Sequence, residues 1–311
     1  MRSPEFPNNL RWFNSKPLNM HNLRGKAVAL VDFWTYSCVN CIRTLPHLKR
    51  WHDEYKDKGL VIVGVHTPEF EFEKNVGNVE RALKNFGIEY PVVMDSDYQI
   101  WSLYSNSVWP RKFLINKDGQ IVYDHAGEGG YAETEEAIQK ALLELNPEIK
   151  LPQIEAAASV PATAKANAGK EATASQGGIC FPTTPELYLG SMRDRAGKLW
   201  DYRGEWKQFP EYIEHARKTE NFEDHIILNF EASEVNLVME YNGERAAKVR
   251  LELNGKQLRE IEVNDAKMYN LVLSNDIVHE HGQTPRGQIK IFVRDQGLRA
   301  YALTFGGCLL T

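Results

Sequence analysis

The sequence predicts an α/β domain with a central sheet, followed by an all-β sandwich, and three observations predict it. The first half alternates short apolar runs of strand type with amphipathic helical ones. From Ile154 to Gln176 the composition turns abruptly to Ala, Thr, Ser, Lys and Glu, with no aromatic residue. After Gly178 nearly every apolar stretch has the period-two alternation of a strand. At 311 residues the chain is long enough for two cores, and the expected division is an α/β domain at 7–150, a linker at 151–177 and a sandwich at 178–311.

Taking the elements in order, Ala27 to Trp34 (A-V-A-L-V-D-F-W) and Leu60 to Val65 (L-V-I-V-G-V) are near-continuous apolar runs, the mark of strands buried on both faces. Between them Leu45, Leu48, Trp51 and Tyr55 recur at three- and four-residue steps, giving a helix from near Cys38 to Gly59. A helical stretch over 71–86, a strand at 92–94 and a helix around 98–104 follow. Runs at 111–115 and 120–125 flank the turn cluster Asn116-Lys117-Asp118-Gly119 and form a hairpin, and a last helix covers about 134–145. The Ala-rich segment that comes next cannot bury enough apolar surface to fold alone and reads as a linker.

In the second half, alternation marks strands at 224–230, 235–241, 248–253, 271–273, 288–293 and 298–305. Short strands at this spacing imply a sandwich, of jelly-roll type. Cys180 precedes the first of them and Cys308 follows the last. Chain ends of a sandwich lie close together, so a structural disulfide is expected in an oxidising compartment, with two reduced, buried thiols as the alternative. Trp200, Tyr202, Trp206, Phe209 and Tyr212 crowd one segment, which suits core packing, carbohydrate or cell-wall binding, or the docking of a protein partner.

A net charge of −5, mixed along the chain, leaves no electrostatic footprint for nucleic acid or an anionic membrane. No apolar run reaches the roughly 18–20 residues of a membrane-spanning helix. Met1 to Phe6 (M-R-S-P-E-F) reads as vector-derived, as if an upstream export signal or membrane domain had been trimmed.

The chemistry-bearing feature is Cys38-Val39-Asn40-Cys41, at the junction of a buried strand and a helix. Unpaired N–H groups and the macrodipole at a helix N-terminus favour a thiolate, so Cys38 is the expected nucleophile. Cys41, one turn on and deeper, is the expected resolving thiol. A zinc half-site would need a second Cys/His pair, and none stands at suitable spacing in this half, so no metal is expected.

V-D-F-W-x-x-x-C-x-x-C resembles thioredoxin, and the longer F-W-T-Y-S-C-V-N-C-I-R-T-L-P with G-V-H-T-P-E-F at 64–70, Trp109-Pro110 and H-A-G-E-G-G-Y at 125–131 resembles the extracytoplasmic thioredoxin-like proteins of the TlpA/DipZ type. T-P-E-L-Y-L-G at 184–190 and A-Y-A-L-T-F-G at 300–306 are similar to the carbohydrate-binding-module-like jelly roll that follows thioredoxin in DipZ-like proteins. The resemblance implies a thioredoxin-like fold and thiol–disulfide exchange with no cofactor beyond the Cys38–Cys41 disulfide. It implies a cis proline at Pro110 and a backbone at Trp109 that pairs with the partner chain. Trp34 and Tyr36 join these as expected contacts to that chain. Asp32 matches thioredoxin's buried acid. A mid-strand carboxyl in an apolar run has a raised pKa and can take the proton of Cys41.

The implied partners are disulfide-bearing exported proteins and a membrane electron donor of the CcdA/DsbD type, in a periplasmic or cell-surface setting that includes cytochrome c biogenesis. Reduction of clients is expected over oxidation. Some TlpA-like reductases carry an acid just after the second cysteine; Thr44 stands there, and Glu69 is a candidate substitute. Thr35-Tyr36-Ser37-Cys38 also forms the T-x-x-C of peroxiredoxins. Val31 replaces the proline of that motif, and C-x-x-C spacing suits disulfide exchange better than peroxide reduction. The class-distinct alternative is a binding scaffold that acts through the sandwich.

Overall fold

The apolar run centred on Leu30 becomes the middle of a six-stranded sheet, with strands on both sides that leave it no solvent-facing edge. The computed structural model describes residues 1–154, 179–180, 183–193, 199–277, 285–306 and 308–309. It divides into two compact units, Met1–Ala174 and Ser175–Thr311. The segment expected to be a linker lies, from residue 155 on, outside the described residues.

Along the first unit run β1 (Arg11–Phe13), α1 (Met20–Leu23), β2 (Val28–Trp34), α2 (Val39–Tyr55), β3 (Leu60–His66), α3 (Val76–Phe86), β4 (Val92–Met94), α4 (Gln99–Leu103), β5 (Arg111–Ile115), β6 (Ile121–Ala126) and α5 (Tyr131–Leu145). The sheet order is β1-β4-β3-β2-β5-β6. β2, β3 and β4 are parallel, whereas β5 and β6 form an antiparallel hairpin on the other side of β2. This strand order is that of the thioredoxin-like fold the resemblance implies. Alternation splits β2 between two faces. Ala29, Val31 and Phe33 pack with Val63, Val65, Phe113 and Ile115 in one core, and Leu30, Asp32 and Trp34 face the other way.

The stretch expected as one helix over 71–86 is two elements, a 3-10 turn at Glu71–Lys74 and then α3. Asn75 makes the break, because its side chain caps α3 by accepting from the Asn78 N–H at 3.2 Å. The N-terminal residues read as vector-derived pack on the first unit. Arg2 bridges Gln120, the Ser3 N–H donates to the Gly119 carbonyl at 2.9 Å, and Phe6 is buried against Trp12.

The second unit contains β7 (Ile179–Cys180), β8 (Leu187–Tyr188), β9 (Trp200–Arg203), β10 (Trp206–Gln208), β11 (Ile213–His215), β12 (Asp224–Glu231) and β13 (Glu234–Glu240). It continues with β14 (Ala247–Leu253), β15 (Lys256–Val263), β16 (Lys267–Val272), β17 (Arg286–Val293), β18 (Arg299–Gly306) and β19 (Cys308–Leu309). One antiparallel sheet has the order β10-β11-β18-β13-β16 with β8 also on β18, and the other β15-β14-β17-β12-β9. Inward residues of both, among them Leu237 and Leu303 from the first and Leu228, Leu251 and Ile291 from the second, share one core. The aromatic cluster is core-side in part, since Trp200, Tyr202 and Trp206 lie half-buried against it.

Asp224 ties β11 and β12 together. It is held well below the usual carboxylate range by Arg217, which bonds it at 2.7 and 2.9 Å, and it also bonds His215 at 3.0 Å and the Glu205 N–H at 3.0 Å. Gly204 has φ of +96°, and a Cβ there would stand 2.0 Å from the Asp224 carboxyl carbon, so this turn accepts glycine alone. Cys180 and Cys308 are register partners in the β7–β19 pair, but their side chains, and so the expected disulfide, lie outside the described residues.

Candidate active site

The two cysteines sit where β2 ends and α2 begins, at the carboxyl edge of the central parallel strands. Cys38 is the N-cap of α2, with extended backbone (φ −79°, ψ 117°), and its Sγ accepts the Cys41 N–H at 3.4 Å. A sulfur in that place meets N–H groups that the helix cannot use, which favours negative charge on it. Both thiols are free; Cys38 is half-buried and Cys41 buried. Burial lifts the Cys41 thiol well above its ordinary value, and the neighbouring Cys38 and Asp32 add to the effect. One sulfur is reachable and the other is shielded and protonated, a division of labour suited to attack and resolution.

Beneath the pair, Asp32 is buried and its carboxyl is pushed up from 3.8 to about 7, chiefly by burial. Its oxygens have no hydrogen-bond partner among the described residues. Gly64 is its register partner on β3, and the missing side chain matters. A Cβ there would stand 3.0 Å from Trp34 Nε1 and 3.2 Å from the Tyr90 ring.

The peptide bond Trp109–Pro110 is cis. Pro110 is buried, while Trp109 is half-buried with its indole N–H donating to the Thr67 carbonyl at 3.1 Å and its ring 4.3 Å from that of Trp101. Asp95 anchors this wall by accepting from the Ile100 and Trp101 N–H groups at 2.9 and 2.8 Å.

Two expected contact residues stand elsewhere than the sequence suggested. Trp34 and Tyr36 are both buried, Trp34 edge-on to His66 and Tyr36 stacked on it at 5.5 Å, so neither presents a face to a partner chain. Their large rings fill the space over the end of β3. Burial drops the His66 pKa to about 3, which leaves it a neutral packing ring. Glu69 is half-buried on the neighbouring loop and contributes its backbone N–H to another acid.

That acid, Glu73, was not singled out from the sequence. It is completely buried and accepts from the Ser37 hydroxyl at 2.6 Å, the Ser37 N–H at 3.3 Å, the Glu69 N–H at 2.6 Å and the Phe70 N–H at 3.1 Å. It thus fastens the residue before Cys38 to the loop after β3. Burial raises its pKa to about 7 against the pull of the Ser37 and Thr35 bonds. In E-F-E-K no residue nearby marks it as interior.

Thr44, in the place of the acid some relatives carry, caps its own helix turn by donating to the Asn40 carbonyl at 2.9 Å. Among the described residues no cluster of His, Cys, Asp and Glu could hold a metal ion, and no helix is long and apolar enough to cross a membrane.

Comparison with known proteins agrees with this geometry. Residues 6–142 match the Redoxin family, and residues 191–306 match the family described as thioredoxin like C-terminal domain. The Mycobacterium bovis protein DipZ is 36% identical over 219 residues, which cover 65% of this chain and 31% of that protein. The chain therefore spans under a third of that relative. Thiol-disulfide oxidoreductase ResA of Halalkalibacterium halodurans is 30% identical over 131 residues, 42% of this chain and 69% of that protein. Thiol-disulfide oxidoreductase YkuV of Bacillus subtilis is 28% identical over 141 residues, 45% of this chain and 94% of that protein.

Proposed function

Because the chain belongs to the thioredoxin-like thiol–disulfide oxidoreductases of the TlpA/DipZ type, we propose that it reduces disulfides of exported proteins outside the cytoplasm, with electrons drawn from a membrane thiol transporter. The observation that carries the reading is the pairing of a reachable sulfur at the N-terminus of α2 with a shielded, protonated one beside a buried carboxyl.

In the proposed cycle the Cys38 thiolate attacks a client disulfide, forms a mixed disulfide and releases one client thiolate. Cys41 then gives its proton to Asp32 and attacks the Cys38 sulfur. The Cys38–Cys41 bond forms, the bond to the client breaks, and the second client thiolate leaves with the electron pair. Two electrons have passed to the client, and no metal or organic cofactor enters. The Trp109 backbone beside the cis bond lines up the client strand.

Support for the reducing direction comes from charge. The buried Asp32 carboxyl disfavours negative charge on Cys41. A strong oxidant draws its force from the opposite condition, a stabilised reduced form.

Equilibration of the Cys38/Cys41 pair against glutathione buffers tests the direction. A potential near roughly −270 mV or below is expected, and one near roughly −120 mV would make the protein an oxidant instead.

A further inference from the structure

Trp109 is held by two neighbours, and both lead back to one buried carboxylate. Its indole N–H donates to the Thr67 carbonyl at 3.1 Å, and its ring lies 4.3 Å from that of Trp101. The carbonyl just before it, that of Val108, accepts from the Asn106 side chain at 3.1 Å, and the Asn106 N–H donates to the Trp101 carbonyl at 2.9 Å. Thr67 and Trp101 thus carry Trp109 between them. They belong to separate segments, the loop after β3 and the helix α4, and Asp95 joins the two. One of its oxygens takes the Ile100 N–H at 2.9 Å, and the other takes both the Trp101 N–H at 2.8 Å and the Thr67 hydroxyl at 3.3 Å.

Asp95 is fully buried, where a carboxyl is costly unless donors surround it. α4 has five residues, too few to stand as a helix on its own hydrogen bonds, so whatever grips its first turn decides where it sits. The other arm reaches the cysteines' own strand. Thr67 donates its N–H to the Trp34 carbonyl, at the end of β2, at 3.0 Å. Through these two arms Asp95 relates Trp109 to the strand that leads into Cys38.

We propose that Asp95 is a positioning residue that sets the place of the Trp109 backbone, and through it the affinity for an extended client chain, while taking no part in the electron transfer. Pro110 is held independently, because its carbonyl accepts the Gly127 N–H at 2.8 Å from the β6 side. Loss of Asp95 therefore frees Trp109 and leaves Pro110 in place. The Tyr98 hydroxyl bonds the Pro68 carbonyl, and the Tyr98 ring meets that of Trp101 at 5.9 Å, a half-buried link between the same two segments. With that link in place a graded loss of affinity is expected, not a collapse of the wall. The inference rests on the reading that the Trp109 backbone pairs with the client, but not on the direction of electron flow.

The test uses the whole chain in reduced form and an extended peptide whose one cysteine carries thionitrobenzoate as a mixed disulfide. Cys38 attacks the peptide sulfur, a Cys38–peptide disulfide forms, and coloured thionitrobenzoate leaves with the electron pair. Stopped-flow rates against peptide concentration give a half-saturating concentration and a limiting rate. In Asp95→Ala the half-saturating concentration should rise about tenfold, the worth of a lost buried hydrogen bond, with the limiting rate within about twofold of wild type. Alkylation of Cys38 by iodoacetamide, which needs no strand pairing, should keep its wild-type rate. Asp95→Asn, which retains one acceptor oxygen, should rise less. An unchanged half-saturating concentration in Asp95→Ala overturns the proposal, and so does an equal loss in iodoacetamide alkylation, which would mark a general disturbance of the site.

Peptides N-methylated in turn at the residues flanking the cysteine separate this inference from the reading beneath it. In the wild type one of them should bind more weakly. If none does, the pairing reading fails and takes the proposal with it, whereas a wild-type effect beside an unchanged Asp95→Ala overturns the proposal alone. Should Asp95→Ala not fold, Thr67→Val removes the hydroxyl arm by itself, and its half-saturating concentration should rise about threefold. No rise there overturns the proposal.

Discussion

Replacing Asp32 by Asn should stabilise the first unit, and by an amount that depends on pH in one specific way. The carboxyl is lifted from 3.8 to about 7, with burial as the main cause. The folded chain therefore holds a proton on Asp32 that the unfolded chain has lost between those two values, and stability falls as pH rises through that interval. Each pH unit costs about 1.36 kcal/mol, so the full cost of the ionised form, reached above pH 7, is about 4 kcal/mol. Below pH 4 both states carry the proton and the cost vanishes. Asn copies the shape of the protonated acid and never ionises. Its advantage over the wild type should thus be near zero at pH 4, grow by about 1.4 kcal/mol per pH unit, and level off near 4 kcal/mol above pH 7. Urea unfolding of the reduced chain, read by pulsed alkylation of the buried Cys41, reports on this unit alone. A gain of the same size at pH 4.5 and pH 8, or no gain at pH 8, would refute the reasoning.

Glu73→Ala should destabilise the first unit by about 2–3 kcal/mol, because four donors from Ser37, Glu69 and Phe70 lose their common acceptor in a buried place, and slower alkylation of Cys38 should accompany the loosened Ser37; urea unfolding and timed alkylation check the two effects. Asp224 is held below its ordinary range by Arg217, so it adds stability that is complete above the unfolded value near 3.9 and disappears as pH falls through the lower folded value. Asp224→Asn should accordingly weaken the second unit at pH 7 and flatten its response to acid, as read by amide exchange of β12. Antiparallel register partners have Cα atoms roughly 4.5–5.5 Å apart, inside the span of a disulfide, so non-reducing peptide mapping of air-oxidised protein should recover the peptides of Cys180 and Cys308 joined.

Legibility followed the length of the apolar signal. β2 and β3 are runs of seven residues and were readable to within a residue of their ends, as was the hairpin of β5 and β6 around its Asn-Lys-Asp-Gly turn. β1 and α1, of three and four residues, carry no period to read. β15 is an edge strand with four of its eight residues exposed and one buried, so K-Q-L-R-E-I-E-V has little alternation to betray it. In the site, the strand-cysteine-helix order located Cys38 and Cys41, and the lone acid in an apolar run located Asp32. Nearness of Trp34 and Tyr36 to the cysteines in sequence suggests contact with a partner chain but says nothing of which way a ring turns. Lys112 escaped notice for the same reason in reverse. A lysine in R-K-F-L-I reads as the solvent side of an edge strand, and it is register with Asp32, a property of two distant segments, that puts it inside.

Two carboxyls near the cysteines are thus pushed to about the same value, near 7, and by the same cause, yet their settings assign them opposite work. Glu73 is surrounded by donors and bonds them through both of its oxygens. A proton arriving there would have to break at least one of those bonds and loosen Ser37, so this acid holds the loop through its ionised form. Asp32 has no donor to lose, and a proton can come and go without moving any neighbour. Hydrogen bonding, more than the pKa itself, therefore separates the acid that fixes geometry from the acid that handles the proton. The same distinction says which substitution should alter the pH profile of exchange and which should alter its rate at every pH: Asp32→Asn the first, Glu73→Gln the second.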